Sequence, residues 1–317
     1  MDVLFLNPMF LGAGVVVMAL VMGREYDWFN DQSRIGYAVA LSMLALVALL
    51  GKVSNGANLS FSIGPFNLQP SEFAKFAVLL QMGNFLSNDK REVLHKDRFI
   101  RGLLVVGAPV VLIIAQPDLG SASVLVVMAV GMMLVAGARF RDILRITVLS
   151  AVTVGVAVIT GFVNTYQLKR FSAFFNQNSH DPQLAKYLYQ GRNALRAVAT
   201  GGITGKGWLQ GPITNAPKDI PVQWADFPFS AVGEQFGLLG AAVLLGLYGV
   251  VLFRIWRAAS LARDTLGTYL CVGVFSMVLW QVFQNVAMTI GLMPITGLPL
   301  PWVSYGGSGL LTFFALI

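Results

Sequence analysis

Long apolar stretches separated by short polar loops occur along the whole chain. Nine of them are long enough, or almost long enough, to cross a hydrocarbon core as a helix, which takes about 20 residues. They lie near residues 5–23, 34–51, 71–88, 99–115, 119–137, 142–163, 228–254, 265–290 and 304–317. This pattern predicts an all-α fold, a polytopic bundle of transmembrane helices that forms a single domain over residues 1–317.

The composition agrees with a membrane protein. Of the 317 residues, 56% are hydrophobic and 12% are charged, whereas about 25% are charged in a soluble domain. The net charge of +7 comes from Lys and Arg residues scattered over short loops, so we expect no nucleic acid as a partner. Cys271 alone cannot form a disulfide framework, and His95 and His180 suggest no metal cluster.

The loop charges predict the orientation. The loops near 24–34, 87–101, 138–145 and 254–264 lie on one side of the bundle and hold 13 of the 22 Lys and Arg residues. That side is therefore predicted to be cytoplasmic. The opposite side carries a large extracytoplasmic loop over 164–227. The first helix begins beside Asp2 without a basic segment, so we expect no signal peptide.

Ionisable residues inside apolar segments indicate function by default. Asp226 precedes the segment near 228–254, and Glu234 lies about 12 Å further along if the rise is 1.5 Å per residue. Asp226, Ser230 and Glu234 then share one face, which we expect to face the bundle interior or a cavity. Asp226 can equally cap the helix, because Pro228 follows two residues later.

Two motifs on the outer side also carry charges. "LQPSEFAKFAVLL" places Glu72 and Lys75 on one helix face, where they form either a structural ion pair at a helix start or a site for an anionic ligand. "AQPDLGSAS" forms a corner between two helices, and Asp118 is expected to be the N-cap of the second.

Two further outer segments are rich in glycine or proline. "ATGGITGKGWLQGP" surrounds Lys206 with glycines, and it is either a plain turn or a loop whose amides approach an anion such as a phosphate. "GLMPITGLPLPWVSYGGSGLL" has three prolines before a helix that opens with polar residues. Irregular backbone at membrane depth is expected to be buried or to line a cavity. Together these features indicate an amphiphilic, anionic ligand on the outer side.

Five stretches carry a resemblance to a known family: "QPSEFAK", "AQPDLG", "GGITGKG", "ADFPFSAVGEQFGLLG" and "GLPLPWVSYGGSG". Their order and spacing are similar to those of the SEDS family (shape, elongation, division and sporulation) of peptidoglycan glycosyltransferases. "PLPWVSYGGS" resembles the elongation branch, RodA, more than the division branch, FtsW. The family has ten transmembrane helices, so the nine segments are expected to be the second to the tenth, with the first absent and the last truncated. The chain departs from the family pattern at Leu59, Ser60 and 193–195.

The resemblance implies a polymerase that links lipid II into glycan strands at the outer face of the cytoplasmic membrane of a bacterium. The family's essential aspartate corresponds to Asp226, which we interpret as the general base, with undecaprenyl pyrophosphate as the leaving group. The expected partners are lipid II, the undecaprenyl-pyrophosphate-linked glycan, membrane lipid and a class B penicillin-binding protein, which is a transpeptidase.

The same motifs supply candidates for substrate binding. Lys75, Arg170 and Lys206 are expected to stabilise the pyrophosphate. The other candidates are Gln69, Glu72, Gln116, Asp118, Glu234, Ser304 and Tyr305. A divalent cation is a candidate for the same task, although the sequence contains no dedicated metal site.

Two alternatives to the enzyme stay open. One is a flippase or transporter of lipid-linked precursors, whose signature would be inverted repeats and charges through the full membrane depth. The other is a non-catalytic scaffold for a transpeptidase. The sequence shows no repeat and concentrates its ionisable residues on the outer side, which favours the enzyme.

Overall fold

The computed structural model describes most of the chain. The described residues are 2–50, 53–54, 57–58, 61–63, 66–88, 95–145, 147–148, 165–177, 181, 184–214, 220 and 223–317. They divide into two compact units. The first unit contains Met1–Phe162, Phe253–Val278 and Gly307–Ile317, and the second contains Val163–Leu252 and Leu279–Gly306. The single domain over 1–317, with 164–227 as its extracytoplasmic loop, stays a prediction.

Helices dominate the described residues. In chain order they are α1 (Asp2–Met22), α2 (Tyr26–Asp31), α3 (Ser33–Leu50), α4 (Pro70–Ser87), α5 (Lys96–Ala115), α6 (Leu119–Val135), α7 (Thr165–Phe175), α8 (Ala185–Gly201), α9 (Gln223–Asp226), α10 (Pro228–Ser260), α11 (Thr265–Thr289) and α12 (Gly307–Leu316). The prediction of an all-α bundle is confirmed.

Two small antiparallel hairpins, which the sequence did not predict, follow α3. Their strands are β1 (Val53–Ser54), β2 (Ala57–Asn58), β3 (Phe61–Ile63) and β4 (Phe66–Leu68). Ser54 pairs with Ala57 in the first hairpin, and Ile63 pairs with Phe66 in the second.

Eight of the nine predicted segments coincide with helices; the sixth, near 142–163, lies largely outside the described residues. Among the described helices α5, α10 and α11 are long and apolar enough to cross a membrane, and shorter apolar helices cover Met9–Met22, Ser33–Leu49, Leu119–Val135 and Gly307–Leu316. The hydropathy pattern therefore predicted the helices well, because a lipid-facing helix needs apolar side chains around its whole surface.

Small residues allow the helices of the first unit to approach closely. A Cβ atom on Gly131 of α6 would lie 2.1 Å from the Ser276 hydroxyl of α11, and one on Gly273 would lie 2.2 Å from the Leu79 side chain of α4. Such close packing replaces the hydrophobic driving force, which is weak between helices in lipid.

The second unit has its own apolar core. Ala194, Ala197, Ile220, Phe227 and Met288 are buried together, with Ile213 and Ile295 packed against them. This core joins α8 to the α9–α10 junction and to the end of α11. The described part of the segment over 164–227 is thus helical and packed rather than an extended loop, and it packs against the residues around Asp226.

Candidate functional site

Asp226 is the last residue of α9, a helix of four residues. Phe227 separates it from α10, which begins at Pro228. The Phe227 side chain is buried, and its carbonyl accepts hydrogen bonds from the Ser230 amide (3.0 Å) and the Ser230 hydroxyl (2.7 Å). The chain therefore turns at Phe227.

This turn corrects the prediction that Asp226 and Glu234 lie on one continuous helix. Ser230 and Glu234 are fully buried on α10, as the prediction of an interior face requires. Asp226 belongs to the preceding helix, because the buried Phe227 interrupts the helical path. Burial and the charge of Arg170, rather than a hydrogen bond from α10, shift the pKa of the Asp226 carboxylate, so the structure gives no support to the capping interpretation, which stays a prediction.

The loop that follows α11 lies against Asp226. A Cβ atom on Gly297, whose φ is +75°, would lie 3.7 Å from Oδ1 of Asp226. The Asn285 side chain of α11 donates from Nδ2 to the carbonyl of Asp226 at 3.0 Å. The amide of Tyr305 donates to the carbonyl of Trp224 in α9 at 2.9 Å. The predicted irregular segment is therefore packed against the aspartate.

The Asp226 carboxylate is a stronger base than an ordinary aspartate. Asp226 lies before the membrane-spanning helix α10 and keeps some contact with solvent. Nevertheless, burial of the carboxylate raises its pKa from 3.8 to about 6, and the charge of Arg170 opposes this rise. The group is thus ionised at neutral pH and accepts a proton near pH 6, which suits a general base.

A cavity of about 70 Å³ in the second unit presents two guanidinium groups. It is lined by residues of α7, α8 and the segment after α11, with Arg170 and Arg192 among apolar neighbours such as Phe174. The Arg192 guanidinium donates to the carbonyl of Gln177, and the Gln177 side chain donates to the carbonyl of Gly291 at 3.3 Å. Two fixed positive charges beside an apolar wall can bind an anion that carries a lipid chain.

Lys206 and Glu234 form an ion pair, with Nζ and Oε1 3.2 Å apart. The Glu234 carboxylate also accepts from the amides of Ile213 (3.2 Å) and Thr214 (2.8 Å). Both charged groups are therefore already paired within the protein, Glu234 buried and Lys206 partly exposed. Their predicted contacts with substrate stay predictions.

The glycine-rich loop pairs with α10 where that helix is interrupted at Gly237, whose φ is +65°. The amides of Lys206 and Gly207 donate to the carbonyls of Glu234 and Gln235, both at 3.0 Å. In return, amides of α10 donate to the carbonyls of Gly202 and Ile203, at 2.9 and 3.1 Å. The loop uses these amides to bind the helix, so the structure favours the turn over the phosphate-binding alternative.

Glu72 and Lys75 form a buried ion pair in the first unit. Oε1 and Nζ are 2.6 Å apart, and both side chains are almost completely inaccessible to solvent. Lys75 also lies over the ring of Phe313, with Nζ 5.9 Å from its centre. Oε2 of Glu72 is buried and has no partner among the described residues. The predicted pairing is confirmed, and a contact of the pair with substrate stays a prediction.

Asp118 is the N-cap of α6, as predicted. Its carboxylate accepts from the Ser121 amide at 3.0 Å. Gln116, before this corner, is buried and donates from Nε2 to the carbonyl of Leu44 at 2.8 Å. Both side chains join helices of the first unit, and their roles in substrate binding stay predictions.

The three remaining candidates lie in turns. Gln69 precedes α4, and its amide donates to the Ser308 hydroxyl at 3.2 Å. The Ser304 hydroxyl accepts from the Leu300 amide at 2.7 Å and closes the proline-rich loop. Tyr305 connects that loop to α9 through its amide. Substrate contacts of Gln69, Ser304 and Tyr305 stay predictions.

Sequence reasoning missed Asn285 and Arg192. Asn285 belongs to a set of buried polar residues of α11 that also includes Gln281, Gln284 and Thr289. Polar residues spaced by four positions within an apolar helix were the available signal. Arg192 had no distinguishing signal, because it is one of several basic residues in the segment over 164–227.

Metal ligands do not cluster in the part of the chain that the structure describes, where no group of three or more His, Cys, Asp or Glu side chains could hold an ion. The predicted divalent cation stays a prediction.

Comparison with known proteins agrees with the motifs. A profile of the FtsW, RodA and SpoVE family, described as cell cycle proteins, matches residues 3–317. Stage V sporulation protein E of Bacillus subtilis is 33% identical over 310 residues, which cover 95% of this chain and 81% of the relative. Peptidoglycan glycosyltransferase MrdB of Escherichia coli is 32% identical over 303 residues, which cover 95% of this chain and 79% of the relative.

Solved structures share the fold. One chain of a peptidoglycan synthase complex has a TM-score of 0.84 at 27% identity and covers 99% of this chain and 87% of its own length. The rod-shape-determining protein RodA of Thermus thermophilus has a TM-score of 0.70 at 27% identity, and the match covers 98% of this chain and 83% of RodA.

A probable FtsW of Halomonas elongata is 31% identical over 316 residues, which cover 96% of this chain and 76% of the relative. It is therefore as similar as MrdB, and the assignment to the elongation branch stays a prediction. The match over almost the whole length, together with the apolar helices, leads to one conclusion: the chain belongs to the FtsW, RodA and SpoVE family and is a multi-pass membrane protein.

Proposed function

We propose that this protein is a peptidoglycan glycosyltransferase that polymerises lipid II, and that Asp226 is its general base. The observation that carries the proposal is the buried carboxylate at the α9–α10 junction, whose pKa of about 6 suits proton transfer near neutral pH. Relatives named peptidoglycan glycosyltransferase cover most of the chain, which supports the choice of reaction.

The proposed step needs one carboxylate. A sugar hydroxyl of lipid II attacks the anomeric carbon of the lipid-linked glycan, and its proton passes to Asp226. The bond between that carbon and the pyrophosphate oxygen breaks, and undecaprenyl pyrophosphate leaves with the electron pair. A single base without a covalent nucleophile predicts inversion at the anomeric carbon, by the logic of glycosidases.

The leaving pyrophosphate requires positive charge rather than a general acid. Arg170 and Arg192 in the cationic cavity are the groups that we assign to it. The influence of Arg170 on the pKa of Asp226 supports a position near the reacting centre. Lys75 and Lys206 are weaker candidates, because each is already in an ion pair with a glutamate.

The assignment of the two arginines has a direct test. Arg192→Ala is expected to raise the KM for lipid II and to weaken inhibition by added undecaprenyl pyrophosphate, each by about tenfold for the loss of one charge-assisted contact. Arg196→Ala is the matched control, because this arginine lies one turn along α8, is exposed and does not line the cavity. Equal effects of both substitutions would contradict the assignment.

The site is proposed to face the extracytoplasmic side. The loops predicted on the opposite side, near 24–34, 87–101, 138–145 and 254–264, hold 13 of the 22 Lys and Arg residues, which supports this orientation. After Cys271→Ala, a cysteine is introduced at Thr204 or at Asn88, which are both exposed. A membrane-impermeant maleimide added to intact spheroplasts is expected to label position 204 and to spare position 88. The reverse pattern would overturn the orientation.

The chain is also proposed to bind a class B penicillin-binding protein. A chain with the same fold was solved within a peptidoglycan synthase complex, which supports such a partner. Leu279, Phe283 and Leu292 are exposed apolar residues at the end of α11 and just after it, and we propose this surface for the contact. Bulky polar substitutions there are expected to abolish co-purification, and complete retention of the partner would place the contact elsewhere.

Purified protein incubated with lipid II tests the activity itself. Glycan strands and released undecaprenyl pyrophosphate are the expected products. Transfer of lipid II between the leaflets of vesicles without polymerisation would instead support the flippase alternative. If neither polymerisation nor transfer were observed, the scaffold alternative would be supported.

A further inference from the structure

Helix α11 buries an amide group beside the candidate base. Asn285 is fully buried in a long apolar helix, together with Gln281 and Thr289 on the same face. A buried amide costs free energy unless its polar atoms form hydrogen bonds. The two hydrogens of the Asn285 side chain do form them, whereas its Oδ1 is buried without a partner among the described residues.

The two bonds of Asn285 join the two backbone segments that flank the Asp226 carboxylate. Nδ2 donates to the carbonyl of Asp226 at 3.0 Å and to the carbonyl of Leu298 at 2.8 Å. A side-chain amide has only two N–H groups, so both are used in this bridge. Asn285 therefore links Asp226 directly to the loop after α11.

The linked loop lies next to the carboxylate itself. Gly297 precedes Leu298, and a Cβ atom on it would be in ordinary van der Waals contact with Oδ1 of Asp226, at 3.7 Å. Leu298 is buried, which anchors the loop from the other side. Asn285 therefore ties the backbone of Asp226 to the loop that contacts its carboxylate.

The neighbouring Gln284 provides a contrast. It is also buried, and its Nε2 donates to the Thr296 hydroxyl of the same loop at 3.1 Å. Gln284 thus holds the loop, whereas Asn285 holds the loop and the backbone of Asp226 together.

We propose that Asn285 is a positioning residue for the glycosyl transfer, acting through Asp226. By fixing the Asp226 carbonyl against Leu298, it holds the carboxylate where the attacking hydroxyl arrives. A displacement of about 1 Å in such an arrangement costs on the order of 10²-fold in rate. The inference rests on the proposed role of Asp226 as the base.

The test compares Asn285→Leu with Gln284→Leu in purified protein supplied with lipid II. Leu has the same branched arrangement of side-chain heavy atoms as Asn and one heavy atom fewer than Gln, and it removes the side-chain hydrogen bonds of both. Asn285→Leu is expected to lower kcat by about 10- to 100-fold, with an unchanged KM and a melting temperature equal to that of Gln284→Leu. Gln284→Leu is expected to change kcat by less than about threefold. If the Asn285→Leu protein does not fold, Asn285→Ser, which is too short for the bridge, takes its place.

A second comparison separates positioning from general damage. In the Asp226→Asn background Asn285→Leu is expected to cause no further loss of the residual activity, because the residue acts only through the carboxylate. A further loss as large as in the wild type, or equal losses for Asn285→Leu and Gln284→Leu, would overturn the positioning role alone. Full activity of Asp226→Asn would overturn the base, and the positioning role with it.

Discussion

Replacing Asp226 by Asn is expected to stabilise the fold at neutral pH while it removes the proposed base. Burial raises the pKa of this carboxyl group from 3.8 to about 6. Because one pKa unit corresponds to about 1.36 kcal/mol, the ionised carboxylate costs the folded state about 3 kcal/mol above pH 6. Asn has almost the same shape and no charge, so the variant avoids this cost.

The pH dependence of this gain has a defined sign. The folded pKa is higher than the unfolded one, so the wild type loses stability as the pH rises through about 6. The variant lacks this titration. The difference in the free energy of unfolding is therefore largest above pH 6, about half as large near pH 5, and vanishes below the ordinary pKa of 3.8.

Thermal melting in detergent at pH 8 and pH 5 measures this difference. We expect Asp226→Asn to melt several degrees above the wild type at pH 8, with a smaller gap at pH 5. Asp97→Asn is the matched control: Asp97 is exposed on α5, so its replacement is expected to leave the melting temperature almost unchanged at both values. Identical melting of Asp226→Asn and the wild type at both values would refute the argument from burial.

Three further predictions concern the pair in the first unit, the glycine-rich loop and the rate. Glu72→Gln or Lys75→Met leaves one buried charge unpaired and is expected to lower the free energy of unfolding by about 3–5 kcal/mol, measured by melting. The charge-swapped double variant Glu72→Lys/Lys75→Glu should melt near the wild type yet fail to polymerise lipid II. Polymerisation by this double variant would show that the pair is only structural. Gly205→Ala, where a Cβ atom would lie 2.2 Å from a carbonyl of α10 at φ +81°, is expected to lower the melting temperature, whereas Gly246→Ala, with open space around it, should not; equal melting would contradict the loop pairing. In a pH–rate profile kcat is expected to rise about tenfold per pH unit below pH 6 and to level off above it as Asp226 ionises; a flat profile would contradict the assignment of the base.

Much of the bundle could be predicted because few backbone structures can cross a lipid bilayer with all their hydrogen bonds satisfied. Apolar length and loop charge are local properties, and they were sufficient to find α5, α10 and α11. The interruption of α10 at Gly237 was not predictable in this way. Glycine is common in transmembrane helices, and this break depends on hydrogen bonds with a loop some 30 residues earlier in the chain.

The candidate site shows the same division between local and distant information. The burial of Glu234 followed from its place on a helix face, but its partner Lys206 and the amides that it accepts come from another segment. The separation of Asp226 from α10 depends on the packing of Phe227 against α8 and α11, which no local pattern encodes. The bridge that Asn285 forms could not be predicted from the sequence, because only the fold brings the carbonyls of Asp226 and Leu298 together.

Polymerisation of lipid II by purified wild type and by Asp226→Asn, followed as glycan strands on a gel at pH 7.5, tests the central claim most directly. Asn preserves the shape of the α9–α10 junction and its bond to Asn285, because that bond uses the backbone carbonyl. We predict strands from the wild type and a rate about 10²- to 10⁴-fold lower for the variant, as expected for the loss of a general base. Equal rates would contradict the assignment of Asp226 as the base.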